Sequence, residues 1–461
     1  MQSSKLYLYS ITAVAILGGL LFGYDTAVIS GAEKAFQAYF STATDFEYTS
    51  WHHGITASSA LLGCVIGGAL SGWCASFFGR RNGLRLAALL FFLSAMGSYN
   101  PEFLFFEKGN PTFDLLITFN IYRIIGGIGV GLASAISPMY IAEIAPARIR
   151  GTLVSCNQFA IIFGMLVVYF VNYLIRQGMT DAELVSIGWR NMFVSEAFPA
   201  AFFALLLFFV PKTPRYLVLS GEPEAAYTVL SKINGEEEAK TILEDIKQTS
   251  KEKSEKLFAY GWMVIFVGVM LSIFQQAIGI NVVLYYAPRI FESMGSTGDA
   301  SMLQTVVMGV VNILFTLVAI FTVDKFGRKP LLIIGSIGMC TGMVALSVLS
   351  FMDAIGMAAL IFIIVYSASF MMSWGPICWV LIAEIFPNTI RGKAIAIAVA
   401  AQWIANFTVS STFVSLSEWS IGGTYMIYGI FSFLSAIFVW RLVPETKGKT
   451  LEEMSRLWRK D

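Results

Sequence analysis

Phe78-Gly79-Arg80-Arg81 in the first half of the chain returns as Phe326-Gly327-Arg328-Lys329, and Ala142-Glu143-Ile144-Ala145-Pro146 returns as Ala383-Glu384-Ile385-Phe386-Pro387. Arg150-Gly151 follows the first copy of the second motif and Arg391-Gly392 the second, so Glu and Arg keep the same separation twice. A third element, Pro211-Lys212-Thr213-Pro214-Arg215, is loosely matched by Pro444-Glu445-Thr446-Lys447. Three elements in one order, displaced by about 240 residues, mark an internal duplication.

The copied loops are separated by long apolar stretches, among them Leu8 to Val28, Val194 to Val210, Trp262 to Phe274, Ala358 to Met372 and Tyr425 to Val443. Of the 461 residues, 56% are hydrophobic, more than one water-soluble core can hide. A helix crossing a bilayer needs about 20 mostly apolar residues. The pattern predicts an all-α membrane protein of twelve spans, six to each copy. Lys5 before an apolar run imitates a secretory leader, but the run continues through Gly18 to Val28 and reads as the first span.

Composition turns to Glu, Lys, Ser and Gln between about Tyr216 and Lys256, the signature of a water-exposed linker of short amphipathic helices. Its Val229, Leu230, Ile233, Ile242, Leu243 and Ile246 recur at helical spacing, which predicts docking on the membrane part. The expected organisation is a six-helix bundle over 1–211, the linker over 212–256, a second bundle over 257–445 and a tail over 446–461. Threading twelve spans puts Arg80, Arg81, Arg85, Arg148, Arg150, the linker lysines, Lys325, Arg328, Lys329, Arg391, Lys393, Lys447 and Lys449 on one side. The positive-inside rule makes that side, with both termini, cytoplasmic.

Several function classes fall away. A net charge of +1 with no basic, aromatic-bearing arm argues against nucleic acid as a partner. Cys64, Cys74, Cys156, Cys340 and Cys378 are scattered through apolar segments without metal-ligand spacing, so they read as small buried hydrophobes, and neither a metal nor a cofactor is expected. No nucleophile motif or histidine dyad suggests an enzyme; the only histidines, His52 and His53, fall in an expected outer loop.

Ionisable residues inside spans are costly and therefore informative. Asp25, expected near the outer end of the first span, and Arg123, inside the fourth, are the two that stand out. Facing one another across a cavity, they would let a carboxylate load and release a proton as the cavity opens and closes; a fixed ion pair bracing two helices is the other reading. In the seventh span Gln275-Gln276-Ala277-Ile278-Gly279-Ile280-Asn281 interrupts an apolar run, with Tyr285-Tyr286 and Pro288 after it. Amides both donate and accept, as a sugar hydroxyl does, and Gly279 and Pro288 permit the helix to break around a ligand; interhelical hydrogen bonding is the alternative use. Gln158, Asn312, Gln402 and Asn406 add amides in other spans, and Phe22, Phe370, Trp379 and Trp403 could stack on a sugar ring, Trp379 beside a break expected at Gly375-Pro376. Glu143 with Arg150 and Glu384 with Arg391, beside Arg80 and Arg328, read as a cytoplasmic gate that could clasp the halves, or as residues that only enforce topology.

With these motifs in view, the chain resembles the sugar porter family of the major facilitator superfamily over essentially its whole length. The Gly-Arg-Arg and Asp-x-x-Gly-Arg-Lys loops, Pro211 to Arg215, the Gln-Gln-x-x-Gly-x-Asn of the seventh span and Pro444-Glu445-Thr446-Lys447-Gly448 carry the likeness. The resemblance implies two six-helix bundles joined by a cytoplasmic linker, working as a monomer in a bacterial inner membrane. It implies symport of a monosaccharide, D-xylose first, with a proton; a facilitative uniporter and a non-transporting sugar sensor are the other readings. It implies sugar contacts from Gln158, Gln275, Gln276, Asn281, Asn312, Trp379 and Gln402, ringed by Phe22, Tyr285, Phe370 and Trp403. It implies Asp25 as proton carrier with Arg123 as its partner, and Glu196 matches an acidic position of the symporters. Two residues depart from the pattern: Met165 stands where xylose carriers have Gln, and Lys212 where an acid is usual.

Overall fold

A computed structural model describes residues 2–146, 149–249, 256–354, 356–387, 390–447 and 458, and nearly all of the chain in it is helical. Among the described residues, ten helices are long and apolar enough to cross a membrane. Two more complete the twelve: Arg80–Tyr99, whose three arginines lower its hydropathy, and a sixth span broken into Trp189–Val194 and Ala197–Leu206. The first span runs from Gln2–Ala27 into Ile29–Phe40; the second is Ser50–Phe77, the fourth Phe113–Ile144, the fifth Arg150–Arg176. In the second copy the seventh span is Trp262–Ala277 followed by Ile280–Tyr285, and the eighth to twelfth are Gly298–Phe326, Arg328–Phe351, Met357–Met371 with Trp374–Ile385, Arg391–Trp419 and Ile421–Leu442.

In hydrocarbon, apolar burial drives no helix association, so small residues that admit close backbone approach decide the packing. Gly63 and Gly67 on the second span face Gly127 and Gly131 on the fourth. A Cβ on Gly127 would lie 1.7 Å from the Ala60 carbonyl oxygen, and one on Gly63 would lie 2.1 Å from that of Ile124. The first span meets the fifth in the same way, with Gly23 on the Ile161 carbonyl and Gly164 on that of Leu20. The bundles meet where the second span packs on the eleventh and the fifth on the eighth.

That meeting is one-ended. Away from the basic loops the halves are joined by Arg289 to Glu33, Lys34 to Glu292, Arg176 to Asp299 and Ser50 to Glu418. Along the second span, a Cβ on Gly54 would strike the Ser411 carbonyl at 2.0 Å, one on Gly68 would sit 3.6 Å from Trp403, and one on Gly72 would meet nothing within 4 Å. The two bundles therefore close at the end without basic loops and splay at the end that carries them.

At the splayed end two ion pairs among the described residues lie within halves. Arg80 donates to Glu143 at 2.8 Å, and Arg328 to Glu384 at 2.9 Å. Arg391 donates to the Phe386 carbonyl, and the side chain of Arg150 lies outside the described residues, as do 250–255 of the linker, Arg148 and, apart from Trp458, the tail beyond Lys447. Glu445 caps the ninth span through the backbone N–H groups of Arg328 and Lys329, at 3.1 and 3.0 Å. Burial alone would raise its pKa, yet the N–H groups of Lys447, Arg328 and Lys329 outweigh burial and hold the carboxyl below the usual range. Of the linker, Pro223–Asn234 buries Val229, Leu230 and Ile233 and packs on the first span, while Ile242, Leu243 and Ile246 are only half-buried.

Three placements differ from the sequence reading. Asp25 is not near the outer end of its span but in the middle of a helix running on to Phe40; polar Glu33, Lys34 and Gln37 continue it because the other half supplies their partners. His52 and His53 are not in a loop: Thr49 and His52 form a capping box, which starts the second span before them. The tenth span breaks at Met372–Ser373, ahead of Gly375-Pro376, because proline in a first helical turn gives up no hydrogen bond.

Candidate functional site

Two broken spans, the seventh and the tenth, build the middle of the molecule. Gly279 adopts φ +88°, where its lack of a side chain matters twice: the left-handed backbone suits glycine, and a Cβ would strike the Tyr428 ring at 2.7 Å. Carbonyls near this break are covered, that of Ile278 by Tyr366 OH at 2.7 Å and that of Leu284 by Tyr169 OH at 2.9 Å from the other half. The second piece of the tenth span is fixed by Trp374, which donates to Ser336 Oγ at 2.8 Å.

Between the bundles these breaks leave a cavity whose empty space, open mouth included, is about 700 Å³. Gln158, Gln275, Gln276, Asn281, Gln402, Trp379, Phe22, Tyr285, Phe370 and Trp403 all line it. Asn312 does not: it lies behind the wall, accepting from Ser367 Oγ at 2.6 Å, and Thr316, one turn on, reaches the lining instead. Thr316, Ile161, Ile162, Ile280, Leu284 and Met371 join the wall beyond the sequence expectation, and Asn406, Gly375, Pro376 and Met165 are part of it. Thr316 follows from helical spacing off Asn312, but the aliphatic residues carry no signal that separates a pocket wall from packing.

The amides form a chain. Gln275 donates to the Trp374 carbonyl at 2.9 Å and accepts from both Gln276 and Gln402, while Asn281 donates to Gln276. Two polar atoms at this wall are buried without a partner among the described residues: Gln402 Oε1, an acceptor, and Trp403 Nε1, a donor. Orphaned pairs of that kind want a ligand group that both donates and accepts. No Asp, Glu, Lys, Arg or His is among the lining residues, so the wall offers hydrogen bonds and aromatic faces but no counter-charge.

The charged groups lie one helical turn from Phe22. Asp25 is wholly buried, Arg123 donates to its Oδ1 at 2.7 Å and to its backbone carbonyl at 3.1 Å, and the guanidinium rests 4.9 Å over the Phe193 ring. Glu196, in the break of the sixth span, is also wholly buried, with Asp25 and Arg123 as its electrostatic neighbours. Both Glu196 oxygens and Asp25 Oδ2 are buried and accept from no donor among the described residues, while the two carboxyls lie within hydrogen-bonding reach of each other. Tyr24 OH, 2.7 Å from Ser195 Oγ, ties the first span to that break. Tyr285, on the cavity's wall, lies within electrostatic range of Asp25 and Arg123.

A helical duplication, a neutral amide-lined cavity between the copies and a buried acid–base trio beside it narrow the possibilities, and residues 11–458 match the family model described as "Sugar (and other) transporter". The chain belongs to that family. Among sugar transporters it is similar to the D-xylose-proton symporter of Escherichia coli (strain K12), 52% identical over 476 residues that span 99% of this chain and 97% of that protein. Its fold matches the inward open conformation of the xylose transporter XylE from E. coli with TM-score 0.89 at 52% identity, covering 98% of this chain and 100% of that one. Against XylE bound to 6-bromo-6-deoxy-D-glucose the TM-score is 0.84 at 51% identity, covering 99% and 100%. The sugar transporter fold accounts for the twelve helices in two bundles, and the protein is a multi-pass membrane carrier, not an enzyme.

Proposed function

We propose that this chain carries D-xylose into the cell together with a proton, by alternating access between two rocking bundles. The observation that carries the reading is the adjacency of a neutral amide cavity to a dry cluster of two carboxyls and one guanidinium. The rocking bodies are 1–211 and 257–445, joined by the linker 212–256 and followed by the tail 446–461. The splayed end faces the cytoplasm, because it bears the basic loops, so the conformation is inward-open in a bacterial inner membrane with both termini inside. One copy of the chain suffices, since the cavity and the charged cluster are complete within it.

The sugar is held by Gln158, Gln275, Gln276, Asn281 and Gln402, with Asn312 steadying the wall from behind. Its apolar C–H face rests on Phe22, Tyr285, Phe370, Trp379 and Trp403. Met165 narrows the wall without offering a hydrogen bond, which loosens selection between xylose and a hexose. Two carboxyls against one guanidinium leave a surplus negative charge in a low-dielectric site, and one proton shared by Asp25 and Glu196 neutralises it. Because Phe22 and Asp25 share a helix, motion that releases the sugar also hydrates the pair and releases the proton. At the cytoplasmic end Arg80–Glu143 and Arg328–Glu384, joined by Arg150 and Arg391, clasp the halves when that side shuts. A proton crossing about 150 mV supplies about 3.5 kcal/mol, which sustains about a 300-fold sugar gradient.

The test is sugar-driven proton movement. In proteoliposomes without an imposed potential, adding D-xylose outside should make the outer medium more alkaline, and radiolabelled xylose counterflow should be competed by glucose less well than by xylose. Xylose uptake without any alkalinisation would assign the chain to facilitated diffusion instead.

A further inference from the structure

At the closed end, the first half holds a carboxylate that the sugar and proton sites do not use. Glu33, about two turns past Asp25, is 1% exposed, and its Oε2 accepts from Arg289 Nη2 of the second half at 2.8 Å and pairs with His53 Nε2 of the second span at 2.7 Å. Arg289 Nε also donates to Glu33 Oε1 at 2.9 Å, and Nη2 reaches Gln37. His53 is wholly buried, with Nδ1 3.1 Å from Tyr48 OH. Tyr48 donating to Nδ1 fixes a neutral ring that gives its Nε2–H to Glu33. Arg289 Nη2 then stands 3.3 Å from Nε2, so two donors face one another across one carboxylate oxygen. A charged imidazolium there would set two cations against one anion in a buried site.

We propose that Glu33 and His53 form a second proton-binding site, filled when the closed end opens and Arg289 withdraws. The inference rests on reading that end as the outer face of an alternating-access carrier. Glu33 and His53 belong to the same half and stay together; Arg289 leaves with the other. Glu33 then has no cation, His53 takes a proton at Nδ1, and Tyr48 turns from donor to acceptor. The remaining charged or titratable groups around the site are His52 on the same helix, the Lys34–Glu292 pair across the halves, Tyr286 beside Arg289, and Glu418, which Ser50 ties to the second span. Glu292 and Glu418 depart with the second half, and Lys34, whose side chain is 43% exposed, is left to solvent. Opening thus takes up a proton: acid outside favours the outward-open state, and that preference is lost as pH rises. The carrier is drawn to face outward when protons are there to be collected.

The test uses the full chain in liposomes with the coupling carboxylate silenced by Asp25→Asn, and spin labels at Lys108→Cys and Asp353→Cys, exposed positions of the two halves at that end. Between about pH 8 and about pH 5.5, the ratio of long to short label distances should rise by up to about tenfold per pH unit through the titration. Adding His53→Gln should flatten the response, while Glu196, present in both proteins, cancels. A response that survives His53→Gln, or none before it, overturns the proposal. Should His53→Gln fail to fold, imidazole nitrogen resonances answer the same question, since the chain has two histidines and His52→Gln assigns them. His53 should titrate near neutrality in Arg289→Gln and stay neutral across that range in the parent; titration in both or in neither sinks the idea. Failure of xylose-driven alkalinisation in the parent would overturn symport without touching this result.

Discussion

The two halves are copies of one six-helix plan, yet they spend their polar residues differently. The first half buries charge: Asp25, Arg123 and Glu196 stand on three of its spans around a site shut off from water. The second buries amides: Gln275, Gln276, Asn281 and Gln402 form a hydrogen-bonded chain with no formal charge. A charge in low dielectric responds strongly to hydration, whereas a neutral amide binds without caring much about the state of the cavity. One copy is thereby suited to sensing and the other to holding. The same divergence shows at the splayed end. Glu445 caps the ninth span and Thr446 donates to Glu384 at 2.6 Å. In the first half Lys212 replaces the capping acid and pairs with exposed Glu222, while Thr213 Oγ1 and Glu143 Oε2 are buried without partners among the described residues.

Asp25→Asn should break the comparison most severely, because it leaves Arg123 a hydrogen-bond acceptor in place of its paired carboxylate and only Glu196 to titrate beside it. Xylose accumulation driven by a pH gradient should fall by about 100-fold or more, with counterflow retained; accumulation at the parent level would move the coupling role elsewhere. Gln275→Ala attacks the other half. It removes the acceptor shared by Gln276 and Gln402, and xylose affinity by calorimetry should drop by about 10- to 100-fold while proton-dependent kinetics keep their pH profile. A shifted pH profile would mean that the division of labour is not real.

Met165→Gln tests whether the first half also shapes the sugar. A polar amide on that wall should improve xylose over glucose in competitive counterflow by about 3- to 10-fold, and an unchanged ratio would free Met165 from any part in selection. The smallest effect is expected at the caps. Glu445→Gln should cost about 0.5–1 kcal/mol, modest because the carboxyl is partly solvated, and Lys212→Glu should gain a few tenths where the first half lacks its cap. The sign follows from the depressed pKa of Glu445: its contribution is present above the unfolded carboxylate value of about 4.3 and disappears as pH falls through the lower folded one. Melting curves of parent and variant should therefore converge on acidification, and a gap that widens would contradict the capping geometry.

The sequence by itself determined the duplication, the membrane, the number of spans and the family, because repeated loops and long apolar runs are local patterns that any fold must respect. It also pointed to most of the cavity wall, since an amide or an Asp in the middle of an apolar run is visible one residue at a time. Only the tertiary structure decided which of these groups meet. Asn312 turned behind the wall because Ser367, on another span, takes its carbonyl. Arg80 and Arg328 paired with Glu143 and Glu384 of their own halves because the splayed end keeps the bundles apart. Glu33 and His53 gave no sign of Arg289, which lies 256 and 236 residues away from them and is brought to them only by closure at the far end. Partnership across a helix bundle depends on rotation and tilt about several axes at once, and no periodicity along one chain encodes that.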